Sequence, residues 1–432
     1  MSRTFLAIWS TQALSILGTG LTTFGLGIWI LETTGSVTAF GLSFFFAWLP
    51  GLVVAPLAGV VADRWDRNWI MAVADVGAGL RTVVLLGLLA AGSLEVWHIF
   101  VAAAVRSFFE SFQMPAYSAA VTQLVERENF GRANGMKQFG NSGANILAPA
   151  LGGFAFANFG IEVLLWIDIV TFLLAVLTLA AVRVPRPEAS EAGARAGTSF
   201  KSQLTFGWHY VRGRPALWAL TLFMALINLI VAQFLVLQSP LVLSFSDASG
   251  LGLVLSSGGI GALLGSVLMS TWGGPKRRVY GVVLYAFPLA VGLLLVGIEA
   301  WLPLIIAGTA ILHFGLPITN ASAGAIFQTQ VEADVQGRVF SALRMIVQAP
   351  FPIAHLSAGP LADHVFSPLL VEGGALAPTL GPVLGTGPGR GIGLMLVLWA
   401  AVALAIGVWA FKRPRLLSIE DEGAEAPPSP GV

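Results

Sequence analysis

Charged residues stand inside long apolar stretches of this 432-residue chain, and their types and spacing carry its most specific chemistry. Arg106 and Glu110 lie four residues apart, the spacing that puts two side chains on one face of a helix and lets them pair. An arginine deep in lipid costs about 3 kcal/mol or more unless it is paired or wetted. A carboxyl held by such an arginine can be neutral in one state and charged in another, so the spacing predicts a proton-binding switch at Glu110, held by Arg106. A purely structural ion pair is the alternative. Asp168 and Asp75 are rival proton carriers, or caps near the ends of their stretches. Arg81 and Arg344 lie deeper and are expected to face a cavity, which His313 and His355 could also line.

Other chemistries are absent from the sequence. The chain has no Cys, which excludes disulfides, thiolate metal sites and cysteine nucleophiles. Its five His form no pair at metal-ligand spacing, so no metal is expected. No G-x-x-x-x-G-K-[ST] loop for ATP occurs, and no Ser/His/Asp grouping can be argued from spacing. An enzyme is not expected, nor a cofactor; any work done must draw on a gradient. The near-neutral charge of +1, with no basic patch, gives no reason to expect a nucleic-acid partner.

The elements that must position these groups are membrane helices. Only 10% of residues are charged and 56% are hydrophobic, whereas a soluble domain carries about 25% charged residues. Apolar runs between charged or Gly/Pro breaks predict twelve spans, near 5–31, 37–62, 69–91, 97–122, 133–158, 162–182, 216–243, 250–272, 279–298, 302–327, 338–365 and 391–411. Lys and Arg fall in alternate breaks, at Arg64/Arg67, Arg127/Arg132, Arg183 to Arg214, Lys276 to Arg278, Arg338 and Lys412 to Arg415. The positive-inside rule makes these breaks cytoplasmic and places both termini inside; the membrane expected is the cytoplasmic (inner) one. Arg390 is the exception, in an outer loop. The domain reading is a six-helix bundle over 1–182, a cytoplasmic linker with a basic amphipathic helix over 183–215, a second bundle over 216–411, and a disordered tail over 412–432. Phe200, Leu204, Trp208 and Val211 form the apolar stripe of the linker helix, set on the inner leaflet or run on into the seventh span.

Val125-Glu126 and Gly131-Arg132 recur as Val331-Glu332 and Gly337-Arg338, and Gly59 recurs as Gly265, all at one offset. One match is chance; several at a single offset imply two related halves of six spans. The stretch from Gly59 to Trp69, with Asp63, Arg64 and Arg67, matches most of the pattern G-x-L-a-D-r-x-G-r-[kr], with Val61 and Asp66 departing from it. This resembles the signature of the major facilitator superfamily between its second and third spans. Ala148, Pro149, Gly152 and Gly153 resemble the antiporter signature g-x-x-x-G-P-x-x-G-G of exporters in the same family, with Ala148 replacing a Gly. Arg106 stands where proton-coupled drug exporters carry R-x-x-q-G, although Phe109 and Glu110 replace the Gln and Gly. The opening from Trp9 to Gly20 with Gly35-Ser36 after the first span, Pro115 to Tyr117, Gly131 to Gly135 and the region from Gly359–Asp363 to Gly387–Gly391 are similar to the macrolide-efflux and siderophore-exporter branch.

The resemblance implies an all-α membrane fold of two six-helix bundles working by alternating access, usually driven by inward proton flow. It implies that Asp63 faces the start of the eleventh span, near Gly337 and Arg338, while Arg67 meets Glu126 or Glu128. Substrate is expected near mid-membrane between the halves, lined by Gln12, Phe24, Arg81, Phe108, Phe112 and Gln113 from the first and Asn228, Phe234, Asn320, Arg344 and Gln348 from the second. Few charges and many aromatics suit small amphipathic or hydrophobic molecules such as drugs, macrolides or siderophores. The expected partners are that small molecule, protons and the lipid bilayer, with the chain a monomer. The alternatives are an uptake permease of the same fold, or a membrane sensor or assembly partner that does not transport.

Overall fold

A computed structural model describes residues 3–64, 67–126, 130–182, 200–332 and 335–422 of the chain. Everything regular among them is helical. Lipid offers no partner to an unpaired backbone group, so an apolar run of this length closes its hydrogen bonds within itself. The helices are α1 (Arg3–Thr34), α2 (Val37–Arg64), α3 (Arg67–Ala90), α4 (Val96–Leu124), α5 (Phe130–Ala181), α6 (Phe200–Arg212), α7 (Pro215–Leu243) and α8 (Ala248–Trp272). They continue with α9 (Arg278–Val283), α10 (Ala286–Ile298), α11 (Leu302–Gln330), α12 (Gln336–Gln348) and α13 (Pro350–Pro360). A π-helical turn follows (Leu361–Phe366), then α14 (Ser367–Leu370), α15 (Ala377–Leu384), α16 (Arg390–Phe411), α17 (Pro414–Leu417) and α18 (Ile419–Glu422).

Ten stretches among the described residues are long and apolar enough to cross a membrane. One of them lies in α5, where Gly160 interrupts the helix with φ 73°, ψ −173°. That backbone is open to glycine and strained for other residues, so α5 holds the two spans expected over 133–158 and 162–182. Helix α4 carries Arg106 and Glu110 and, at 29 residues, is also long enough to cross. Among the described residues the total is the twelve read from sequence, and the fold is the all-α membrane class expected.

Three details differ from the sequence reading. The ninth span is divided into α9 and α10 at Leu284 and Tyr285. The eleventh is not one helix: α12 ends at Gln348 before Pro350, which removes a backbone donor, and α13 runs on into the π turn. The tail expected to be disordered from 412 is ordered to Glu422. Glu420 accepts hydrogen bonds from the Arg278 and Val279 amides (3.0 and 3.1 Å), and Asp421 pairs with Arg277 at 2.6 Å. Sequence proximity gives no hint of such a cap.

The chain forms two compact units. The first holds 1–197 with 242–256 and 358–363; α1 packs along α5, α2 along α4, and α3 against both α4 and α5. Phe5, Ile8, Ile70, Met71, Tyr117, Val125, Ala133 and Leu179 form one core cluster here, drawn from α1, α3, α4, α5 and the residue after α4. The second unit holds 198–241, 257–357 and 364–432; α10 packs against α11 and α16, and α6 against α12. The linker helix is therefore a separate element, ended at Gly213 and Arg214, with Val211 buried. Large apolar side chains point outward, among them Leu80, Val84, Trp166, Val170 and Leu177, as a lipid-facing surface requires.

Candidate functional site

Within the first unit the polar residues of four helices fall into register. Gln12, Thr19 and Thr23 on α1 are seven and then four residues apart, Asp75 and Thr82 on α3 are seven apart, and Arg106, Glu110 and Gln113 on α4 are four and then three apart. Each set therefore occupies one helix face. At about 1.5 Å per residue the α1 set spans roughly 16 Å, about half the thickness of a bilayer's apolar core. The result is a polar seam inside an apolar bundle.

The seam has three stations. At the first, Asp75 is buried and accepts hydrogen bonds from the carboxamides of Gln12 (2.8 Å) and Gln113, while Gln113 also donates to the Gln12 oxygen at 3.3 Å. No cation pairs with Asp75 among the described residues. At the second, Asp168 on the C-terminal half of α5 lies 3.6 Å from the Arg81 guanidinium and accepts from the Thr82 hydroxyl (2.7 Å) and the Thr19 hydroxyl (3.0 Å). Both charges are buried, with side chains 4–5% exposed. At the third, Arg106 and Glu110 are 3.2 Å apart, and Arg106 also donates to Thr23 at 2.8 Å. This pair is more open than the second: the Glu110 side chain is 43% exposed.

The structure thus brings Arg81, Asp75, Asp168, Gln12, Gln113, Arg106 and Glu110 into one seam. Arg81 is not open to a cavity, as the sequence suggested; it is closed off by its pairing with Asp168. Phe108 is exposed and Phe112 half-buried, their rings 5.1 Å apart on the face of α4 opposite the Arg106–Glu110 pair. Phe24 instead lies against Gly152, where a side chain would strike its ring. In the second unit Phe234 is fully buried, 6.1 Å from the His313 ring, and so lines no open surface. Asn228 donates to the Val347 carbonyl at 3.0 Å, a helix-to-helix bond. Asn320 and Arg344 are exposed, Gln348 is half-buried and His355 is buried.

The antiporter-like residues form a packing station. Ala148 is buried against Leu21 and Leu164, and a methyl on Gly153 would collide with the backbone of Ala248 and Ser249. A methyl on Gly252 would collide with the Pro149 carbonyl, and Ser256 donates to the Ile146 carbonyl at 2.6 Å. The side chains of Gly59, Asp63, Arg64, Arg67, Glu128, Gly337 and Arg338 lie outside the described residues; Glu126 is exposed.

Two residues take roles the sequence did not assign. Arg390 is buried and donates to the carbonyls of Leu384, Gly297 (3.0 Å) and Ile298 (2.9 Å), closing the C-terminus of α10. Asp363 accepts four hydrogen bonds at the start of α2. The sequence does hold a signal for Asp363, a carboxylate within the apolar stretch 338–365 with no Lys or Arg within a turn of it.

A profile of the Major Facilitator Superfamily matches residues 8–354. Macrolide efflux protein A of Streptococcus pyogenes is 25% identical over 373 residues, covering 84% of this chain and 90% of that protein. The multidrug efflux pump Tap of Mycolicibacterium fortuitum is 23% identical over 359 residues, covering 80% and 86%. Among solved structures, the nucleoside transporter NupG superposes with a TM-score of 0.68 at 14% identity over 95% of this chain and 100% of that one. A bacterial homologue of the lysosomal transporter Spinster, inward-facing and unoccupied, gives 0.67 at 15% identity over 97% and 99%.

Proposed function

The chain belongs to the major facilitator superfamily, whose members are multi-pass membrane transporters, and from that premise we propose an exporter of small amphipathic molecules driven by proton antiport. The observation that carries the reading is the unequal treatment of three carboxyls along one seam. Asp168 is fully engaged by a buried arginine and two hydroxyls. Asp75 is enclosed by two carboxamides. Glu110 is held by Arg106, and its side chain is 43% exposed, so water or a solute can reach it. A proton carrier needs such access, and it needs a partner whose grip changes when the pair is wetted or displaced.

Export rather than uptake is supported by the efflux names of the relatives and by the glycine-proline packing station of α5. The sparse charge of the spans and the efflux names of the relatives suit a bulky solute with an apolar body and a polar group. Both termini are placed in the cytoplasm on the distribution of Lys and Arg, and the working unit is a monomer.

Reconstitution into vesicles carrying an imposed proton gradient tests the proposal, with ethidium and a labelled macrolide as probes. Glu110→Gln is expected to abolish uphill efflux and flatten its pH dependence while leaving downhill exchange intact. If Glu110→Gln pumps uphill as before, the pair is structural and coupling resides at Asp75 or Asp168. Accumulation in the direction opposite to export would make the protein an uptake permease.

A further inference from the structure

Asp363 lies in the π-helical turn Leu361–Phe366 that follows α13. Its carboxylate accepts from the Val37 amide (3.2 Å), the Thr38 amide (2.9 Å), the Thr38 hydroxyl (2.8 Å) and the Ser36 hydroxyl (3.0 Å). The local N-cap Ser36 takes the Ala39 amide (3.2 Å), and the orphan amides of Val37 and Thr38 are capped instead by a residue more than 300 positions away. One turn earlier, a methyl on Gly359 would collide with the Thr38 backbone, so the two segments touch main chain to main chain. The π turn adds a residue to the helical repeat, a feature concentrated at functional sites. The segment 358–363 groups with the first compact unit although the chain on either side of it belongs to the second.

From this geometry we infer that Asp363 is a positioning residue of the transport cycle: a latch that holds the start of α2 in one state and releases it in another. The bonds are of the kind that can be remade. No cation pairs with Asp363 among the described residues, and every donor it takes is a hydroxyl or a helix N-terminal amide that water can satisfy in its place. Arg81–Asp168 is the contrasting case, a buried ion pair that cannot part cheaply. The small, fully buried Ala358 and Ala362 flank the contact and leave little interlocking side chain to hold it. The inference rests on the transporter reading but not on proton coupling or on any one substrate.

The absence of native Cys allows a direct test. Single cysteines at Val37 and Ala362, both buried beside the latch, and at Ala175, buried on α5 away from it, are reacted with a polyethylene-glycol maleimide in purified full-length protein. Asp363→Asn is expected to raise labelling at Val37→Cys and Ala362→Cys by about tenfold, the scale of losing a charge-assisted cap, and to leave Ala175→Cys unchanged. It is also expected to lower the maximal rate of ethidium transport, with Asp363→Glu restoring part of it. Thr38→Val removes one hydroxyl donor and keeps both the carboxylate and the local Ser36 cap, and it carries the same expectation at smaller size if Asp363→Asn does not reach the membrane. Unchanged labelling at the two latch positions, or an equal rise at Ala175→Cys, overturns the latch. Because labelling needs neither substrate nor gradient, that outcome is separate from a failure of the antiport proposal.

Discussion

Asp168 and Glu110 are both carboxylates facing an arginine, and their surroundings give them different work. Asp168 and Arg81 have left water together, and each satisfies what burial took from the other. Removing one member leaves an uncompensated buried charge, a loss of about 3–5 kcal/mol. Asp168→Asn is therefore expected to reduce the yield of folded protein and its thermal midpoint, read by fluorescence-detected size exclusion after heating. Glu110→Gln should change neither. If Asp168→Asn is as stable as the parent while coupling is lost, Asp168 is the proton carrier and the roles are reversed. Arg390 shows a third use of the same chemistry. Its guanidinium spends its donors on backbone carbonyls at the end of α10, where the partial negative charge of a helix C-terminus favours a cation.

At the scale of elements, α6 is fastened to the rest of its unit by charge as well as by its apolar stripe. Arg214, just beyond it, sits over the Tyr210 ring at 4.1 Å and donates to Glu332 (2.8 Å) and to the Gln330 carbonyl (2.6 Å). Tyr210 donates to the same Glu332 carboxylate. The Tyr210 hydrogen bond, helped by Arg214, holds the Glu332 carboxyl down at about 2 from an ordinary 4.5. A carboxyl lowered on folding stabilises the structure above its unfolded pKa, and the contribution fades as pH falls through the folded value. The clamp is thus complete above pH 4.5 and is lost only toward pH 2. Glu332 is about half exposed, so the clamp is worth little in free energy. Trypsin cleavage near Arg212 is expected to be accelerated by Glu332→Gln, and the clamp's protection should not vary between about pH 6 and 8. A protection that rises and falls across that range would place a different titrating group in the clamp.

For the whole molecule, the energy source is the question that composition narrows most. The sequence holds no G-x-x-x-x-G-K-[ST] loop, and the proposed antiport draws its work from a gradient. Efflux of ethidium from cells is expected to stop when a protonophore collapses the proton gradient. It should persist when ATP is depleted while the gradient is held. Efflux that survives the protonophore but follows an imposed sodium gradient would replace the coupling ion and leave the family assignment untouched.

The sequence by itself determined the class, the number of spans and the internal repeat. Lipid permits so few backbone solutions that hydropathy and chain breaks are nearly sufficient for the first two, and a shared offset is visible without coordinates. It also made the Arg106–Glu110 pair readable, because four-residue spacing within one helix is a local rule. Tertiary structure alone decided which carboxyl is closed off and which is open. Asp168 meets Thr19 across 149 positions, Asp75 meets Gln12 across 63, and Asp363 meets Ser36 across 327. No periodicity reaches that far. Helical spacing tells which residues share a face, but only the packing of helices says what that face meets, whether a second charge, a carboxamide or a helix start.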